Sequence, residues 1–504
     1  MKRKITAILL VSILIMSIFS ACSPKNNDTQ PINGKLTIIH INDTHGRTHA
    51  EPYISQLAKD IRTNGGNVLI LDAGDRLHGQ TATNLTRGET MVRVMNAAGY
   101  SAMVTGNHEY TFGAERLLEL SGMMEFPLLA ANVRYDGEYI FERYTVLYMD
   151  GLTIGIFGLV TPETVTKSDP RNMTGLVFEN PVDTAAEITE ILKAENCEII
   201  IALTHLGGDN HTLENERSDA LAAVPGIDIV IDGHSHTFLD NGRIVGDTLI
   251  AQVGEYSQHI GIVEITIENG VKTKTARVIA VPEEGVKTEL SGDAAVAAII
   301  DEGEARVESI TSAVIGSTPV ALDGERETVR TGDTNLANLI TDSMLHTTGA
   351  DIAFIGGGSI RGSIGAGNIT MGDVLTVLSF ANLIITVELK GSDVLEILEH
   401  GVSQYPEPAG LYIQVAGIRF VFDPDAEPGQ RIVTAIMTDG TAFDINKTYT
   451  VATVEFIAAG GDGYTTMERG MNLKFYGGDA EAFVRYLETN PVITAEPDSR
   501  VSKN

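Results

Sequence analysis

The chain has 504 residues, 43% of them hydrophobic and 20% charged, with a formal net charge of −31. That length accommodates two or three domains with cores of their own, and the apolar share is that of a globular protein. The acidic balance excludes a broad nucleic-acid-binding surface, so an anionic ligand has to be met by local arginines or metals.

The first element is a targeting segment. Lys2, Arg3 and Lys4 are followed by the apolar run "ITAILLVSILIMSIF" and then by "FSAC", which ends on Cys22. This pattern resembles a bacterial lipoprotein signal over residues 1–22, which implies lipidation of Cys22 and an extracytoplasmic protein anchored to the cell membrane. "SPKNNDTQPING", residues 23–34, is polar and reads as a tether. The one other cysteine, Cys197, lies in an apolar strand-like run and reads as a buried small hydrophobe. With Cys22 acylated no intrachain disulfide forms.

Residues 35–285 repeat one pattern, a short β-branched run followed by a polar loop. "LTIIHINDTHG", "VLILDAGD", "AMVTGNHE", "IIIALTHLG" and "IDIVIDGHSH" are five instances. Helical patterns such as "EPYISQLAKDIRTN" and "PVDTAAEITEILKAE" lie between some of them. This predicts an α/β fold whose strands are buried on both faces, with ligands beyond the strand ends. Residues 286–315 read as a helical connector. Residues 316–504 form a second region with its own strands and helices, and only His346 and His400 of the histidines fall there. Metal-type side chains are thus confined to the first region.

The loop residues make a metal-ligand set. Asp43 and His45 form "DTH", Asp75 closes "DAGD" and can bridge, and Asn107 offers an amide oxygen. His205 ends its strand, and the two-residue spacing of His234 and His236 predicts that both face one side of an extended segment. His108, next to Asn107, is the candidate catalytic residue, donating a proton to a leaving oxygen. Asp72 reads as structural and His40 as a core histidine. His49, His78, His211 and His259 have no place in the pattern and read as surface or loop residues.

The ordered set DxH, GD, GNHE, TH and GHSH resembles the calcineurin-like metallophosphoesterases. The resemblance implies a four-layered αββα sandwich and two divalent metal ions, of the Zn, Mn, Fe or Co kind. One would take Asp43, His45, Asp75 and His236, the other Asp75, Asn107, His205 and His234. In the second region, "GGGSIRG", "LSFANL", "FDPDAEPGQRI" and "EFIAAGGDGY" resemble the C-terminal domain of the 5′-nucleotidases, an α+β nucleoside-binding domain. That likeness implies a base held between Phe380 and Phe456, with Asp462, Arg361, Arg326 and Arg330 on ribose, polar edges and phosphate. Two phenyl faces stack any base, and guanidinium forks suit phosphate and ribose oxygens.

Two positions depart from the family pattern. Gly356 stands where the family has asparagine. Thr111 stands where "GNHEFD" has the aspartate that partners the catalytic histidine, which predicts a poorer acid at His108 or a stand-in carboxylate; Glu109 is expected to point elsewhere. The reading is an extracytoplasmic two-metal hydrolase of nucleotides or related phosphoesters, tethered to the membrane, with no nucleic-acid partner and no oligomeric state set by the sequence. Two alternatives stay open: a 2′,3′-cyclic phosphodiesterase or nucleotide-sugar hydrolase on the same scaffold, and a nucleoside-binding surface lipoprotein with weakened catalysis.

Overall fold

The computed structural model describes residues 33–168, 170–208, 212–282, 290–380, 382–490, 493 and 498–504. The signal segment, Cys22, nearly all of the tether and His211 lie outside the described residues.

Each of the five motif runs ends in, or runs straight on from, a strand. Gly34–Ile41, Asn67–Asp72, Ala102–Val104 and Leu128–Leu129 lie side by side and parallel, and His259–Glu268 and Val271–Ala280 extend this six-stranded sheet antiparallel. A second six-stranded sheet has Leu152–Val160, Ile199–His205, Ile229–Ile231 and Thr248–Ala251 parallel at its centre, between antiparallel edges.

Strand side chains alternate between faces, and both faces are covered. Leu36, Ile38, Leu69 and Val104 of the first sheet meet Ile156, Ile201, Leu203 and Ile231 of the second in one core. Ile39, Ile41 and Ile70 face the other way, onto Ile54, Met91 and Met95 from the helices Glu51–Thr63 and Glu89–Ala98. Phe157, Ile200 and Ala202 pack on Ile188 and Leu192 of the helix Pro181–Ala194. The order is helices, sheet, sheet, helix. The Pro181–Ala194 helix starts where the sequence says it should: Pro181 enters its first turn and the Asn180 side chain accepts from the N–H groups of Val182 and Asp183.

The helix Ala294–Thr311 packs on Glu51–Thr63 and Glu89–Ala98 at one side and on Met371–Val377 at the other. Beyond it, Ile413–Ala416, Ile352–Gly356, Thr448–Val454, Leu383–Lys390 and Met471–Gly478 make a mixed five-stranded sheet. Its core, with Leu336, Ile340 and Met344 of the helix Asn335–Thr348 and Phe483 and Leu487 of Asp479–Thr489, is separate from the cores of the first region.

Candidate active site

The metal-type residues stand on loops that leave the carboxyl ends of parallel strands. Asp43 and His45 follow Gly34–Ile41, Asp75 follows Asn67–Asp72, Asn107 and His108 follow Ala102–Val104, His205 is the last residue of Ile199–His205, and His234 and His236 follow Ile229–Ile231. Asp43, His45, Asp75, His234 and His236 all have positive φ, between 47° and 77°. Each such side-chain-bearing residue costs on the order of 1–2 kcal/mol, and the strain persists only where surrounding bonds fix it.

Glu109 supplies much of that fixing. Its two carboxylate oxygens accept from the backbone N–H of Asp75 (2.8 Å), Arg76 (2.7 Å), Leu77 (2.9 Å) and Gly106 (2.5 Å). The Asp75 carboxylate accepts in turn from the His108 N–H at 2.8 Å. These loops approach so closely that a Cβ at Gly106 would stand 2.3 Å from Asp75 Oδ1, which is why glycine precedes Asn107. Burial and the neighbouring Asp75 raise the pKa of Glu109 while the backbone donors oppose them, and only the ionised form accepts at both oxygens. Beneath the same loop, fully buried Arg76 pairs with Glu51 and lies 3.4 Å from Asp72, so Asp72 sits in a buried ion cluster and not in the groups of metal-type side chains.

The side chains converge in three groups: Asp43, His45 and His236; His45, Asp75 and His108; and Asp43, Asp75 and His205. His236 Nε2 lies 3.3 Å from Asp43 and 3.2 Å from His45 Nε2, and His205 Nε2 lies 3.3 Å from Asp75. Asn107 Oδ1 and His234 Nδ1 are 3.1 Å apart. His234 and His236 do not lie on an extended segment, although both line the same cleft. Both are left-handed, so His234 turns to Asn107 and His236 to Asp43.

The histidines are oriented through their outer nitrogens. His205 donates Nδ1–H to the Ala73 carbonyl at 2.7 Å, which turns the buried Nε2, without a hydrogen-bond partner, toward Asp75. His234 Nε2 meets Glu163 at 3.0 Å, and His236 Nδ1 meets Glu255. A carboxylate or carbonyl behind an imidazole fixes its tautomer and strengthens it as a ligand. The donor set of carboxylates, imidazoles and one amide oxygen, with an orphaned imidazole nitrogen aimed at Asp75, fits divalent cations. Without a cation the charge is met by protons: burial lowers the His205 pKa, but Asp75 and Asp43 outweigh it and push it up to about 10.

Across a cleft of about 730 Å³ from these residues stand Arg326, Arg330, Arg361, Phe380, Phe456 and Asp462, all of the second region and all lining the same space. Arg326 Nη1 lies 2.7 Å from His236 Nδ1 and 3.3 Å from Glu255. Burial, with Arg326 and Arg361 beside it, pushes Arg330 down to about 9, an environment that a bound anion relieves. Asp462 pairs with Lys167 of the first region at 3.1 Å. Phe456 is half-buried against Gly461. Phe380 stacks on His78 (centroids 5.0 Å apart) and on His108 (5.6 Å), with the Arg361 guanidinium 5.6 Å from its ring.

His78 is therefore no surface residue; it is buried between the two regions, and its Nε2 lies 3.0 Å from the Ser379 carbonyl. Glu109 points away from His108, as expected. The Thr111 carbonyl accepts from Asn172 Nδ2 at 2.8 Å, and among the described residues its hydroxyl makes no hydrogen bond to the His108 ring. Among the described residues the carboxylate nearest that ring is Asp75, at 3.9 Å. At Gly356 a Cβ would come within 2.8 Å of the Gly410 carbonyl, so the Gly410 backbone occupies the room an asparagine would need. Sequence reasoning missed Glu163, Lys167, Glu255 and the role of Glu109; only Glu109, inside the GNHE motif, carried a local signal.

Comparison with known proteins agrees with this geometry. Residues 36–238 match the calcineurin-like phosphoesterase family and residues 314–469 the 5′-nucleotidase C-terminal domain. A 5′-nucleotidase of Vibrio cholerae is 31% identical over 91% of this chain and 91% of its own length. The trifunctional nucleotide phosphoesterase protein YfkN of Bacillus subtilis is 34% identical over 92% of this chain, which spans 34% of that longer protein. The crystal structure of a 5′-nucleotidase precursor from Thermus thermophilus superposes with a TM-score of 0.80 at 30% identity, covering 93% of this chain and 99% of that one. Fold and site together define a metal-dependent phosphoric ester hydrolase. The chain belongs to the 5′-nucleotidase family, with a metallophosphoesterase domain followed by a 5′-nucleotidase C-terminal domain.

Proposed function

We propose that the protein is an extracytoplasmic two-metal phosphohydrolase that releases phosphate from nucleotides. One observation carries this reading: a single cleft has metal-type ligands on one wall and three arginines with two phenyl rings on the other. The ligands divide into Asp43, His45, Asp75 and His236, and Asp75, Asn107, His205 and His234, with Asp75 common to both. Divalent cations bound there supply Lewis-acid polarisation of phosphoryl oxygens and acidify water for attack on phosphorus.

The chain does the rest. Glu163 and Glu255 hold the His234 and His236 rings, and Glu109 holds the Asp75 loop. Arg326, Arg330 and Arg361 bind phosphoryl and ribose oxygens, Asp462 the ribose, and Phe380 and Phe456 the base. In hydrolysis a P–O bond to water oxygen forms and the ester P–O bond breaks; His108, as an imidazolium, gives its proton to the leaving oxygen, and the proton lost by the attacking water restores the charge balance. Without substrate, burial holds that ring neutral, pushing its pKa down to about 3 against the pull of Asp75; a phosphate dianion beside it acts in the opposite sense and favours the protonated ring that the step needs.

The names of the Vibrio and Thermus relatives support a nucleotide as substrate. The test is phosphate release by the metal-loaded protein from a nucleoside 5′-monophosphate, a 2′,3′-cyclic nucleotide, a nucleotide sugar and p-nitrophenyl phosphate. The 5′-monophosphate should have the highest kcat/KM. A higher value for the cyclic nucleotide or the sugar replaces the substrate assignment. Nucleoside binding without phosphate release replaces the enzyme with a surface binding protein.

The proposal extends to the domains and the location. Residues 35–285 serve as the metallophosphoesterase domain, 286–315 as the connector and 316–504 as the substrate domain. The N-terminal sequence supports removal of a signal segment and anchoring through a lipid on Cys22. Among the described residues no helix is long and apolar enough to cross a membrane.

A further inference from the structure

His78 occupies a place that neither the ligand set nor the nucleoside clamp accounts for. Its ring is buried and nearly parallel to that of His108, at 10° with centroids 5.4 Å apart. On the side of the second domain its Nε2–H donates to the Ser379 carbonyl at 3.0 Å, and the next residue, Phe380, stacks on it at 27° and 5.0 Å. Phe112 closes the cluster edge-on, with centroids 5.5 Å apart.

The joint around His78 is built from several bonds. Asn84 Nδ2 donates to the same Ser379 carbonyl at 3.1 Å, and the hydroxyls of Thr81 and Thr376 pair at 2.8 Å. Residues 78–84 of the first domain and 376–380 of the second thus dock through polar atoms. A carbonyl only accepts, so His78 carries its proton on Nε2; burial, which pushes its pKa down to about 4, keeps the ring neutral.

His108 is fixed differently at its two ends. Its backbone N–H is tied to Asp75, but its ring is held by packing against His45 (centroids 4.9 Å), His78 and Phe380. One of those partners belongs to the second domain, and another is hydrogen-bonded to it. The orientation of the His108 ring therefore depends on how the second domain is docked.

The geometry points to His78 as a positioning residue that aligns the His108 ring and makes that alignment depend on docking of the second domain. The inference rests on the reading of His108 as proton donor to the leaving oxygen. A ring displaced by about 1 Å costs on the order of 100-fold in rate. The cost falls on the step that needs the proton, so it grows as the leaving group becomes poorer.

The experiment uses the metal-loaded full chain and three variants, His78→Ala, His78→Phe and His78→Gln, each checked for metal content and thermal midpoint. Rates are taken with glycerol 2-phosphate, a poor leaving group, and p-nitrophenyl phosphate, a good one. His78→Ala and His78→Gln should lower kcat for the glycerol ester by about 100-fold, as expected for a misplaced proton donor, and for the nitrophenyl ester only a few-fold, with little change in KM. His78→Phe keeps the stacked ring, so it should recover most of the glycerol-ester rate. In the His108→Ala background, His78→Ala should add nothing, because the two act through one group. Equal losses on both esters, no recovery by phenylalanine, or additive losses in the double variant would each overturn the inference. If His108→Ala collapses the glycerol-ester rate while the His78 variants do not, the claim about His78 alone falls. If His108→Ala leaves that rate unchanged, the assignment of His108 falls and this inference with it.

Discussion

Glu109→Gln tests how the strained metal loop is held. One carboxylate oxygen accepts from Arg76 and Leu77 and the other from Asp75 and Gly106. Glutamine keeps one accepting oxygen and turns an NH2 toward the other two donors. Two charge-assisted bonds are then lost and two buried N–H groups left facing a donor. At about 1.5–3 kcal/mol for each bond to a charged group, the loop loses on the order of 3–6 kcal/mol. That exceeds the cost of one residue at positive φ, so Asp75 should relax out of its left-handed conformation and the shared ligand should be misplaced. Urea unfolding should show the loss, and metal analysis should show fewer ions retained after dialysis. A variant that unfolds within about 1 kcal/mol of the parent and keeps its full metal content would refute the reasoning, because the two lost bonds to the carboxylate would then be contributing almost nothing.

Phe456→Ala should lower kcat/KM for nucleotides by the equivalent of about 1–3 kcal/mol and spare glycerol 2-phosphate, whereas Phe380→Ala, whose ring also stacks on His108, should slow that base-free ester with its poor leaving group as well; equal behaviour of the two variants on glycerol 2-phosphate would contradict the different placement of the rings. The metal-free protein should hold a proton on His205, whose pKa is raised from 6.5 to about 10, so adding metal at pH 7 should release protons and affinity should strengthen as pH rises from 6.5 toward 10. The same raised value means that this proton stabilises the metal-free fold below pH 6.5, with the contribution lost as pH rises through about 10; a metal affinity independent of pH would show His205 already neutral. Cys22→Ser should release the protein from membranes or block its processing, and unchanged membrane association of a cleaved Cys22→Ser protein would contradict the lipid anchor.

The parts legible in the sequence are those encoded locally. A β-branched run followed by a polar loop announces a strand end, and every one of Asp43, His45, Asp75, Asn107, His205, His234 and His236 lies at or just beyond such an end. The helix Pro181–Ala194 was readable from the helical pattern of "PVDTAAEITEILKAE". The parts not legible depend on distant contacts or on backbone conformations that sequence does not mark. Positive φ at His234 and His236 breaks the extended segment that the two-residue spacing implies, and neither position is a glycine that would signal it. Glu163 and Glu255 meet their histidines across 71 and 19 residues, so neither belongs to a motif. Lys167 and His78 acquire their places only when the second domain docks, 295 and 301 residues further along the chain.

The most direct test of the account is the number of ions held per chain by the parent protein and by Asp75→Asn, measured by calorimetric titration with Mn²⁺ and by elemental analysis after dialysis. Asp75 lies against His205 on one side and belongs with His45 and His108 on the other, so both sites draw on its charge. The account predicts two ions for the parent, at most one for Asp75→Asn, and loss of phosphate release in parallel. A parent that binds a single ion, or an Asp75→Asn variant that keeps two ions and near-parental turnover, would contradict it.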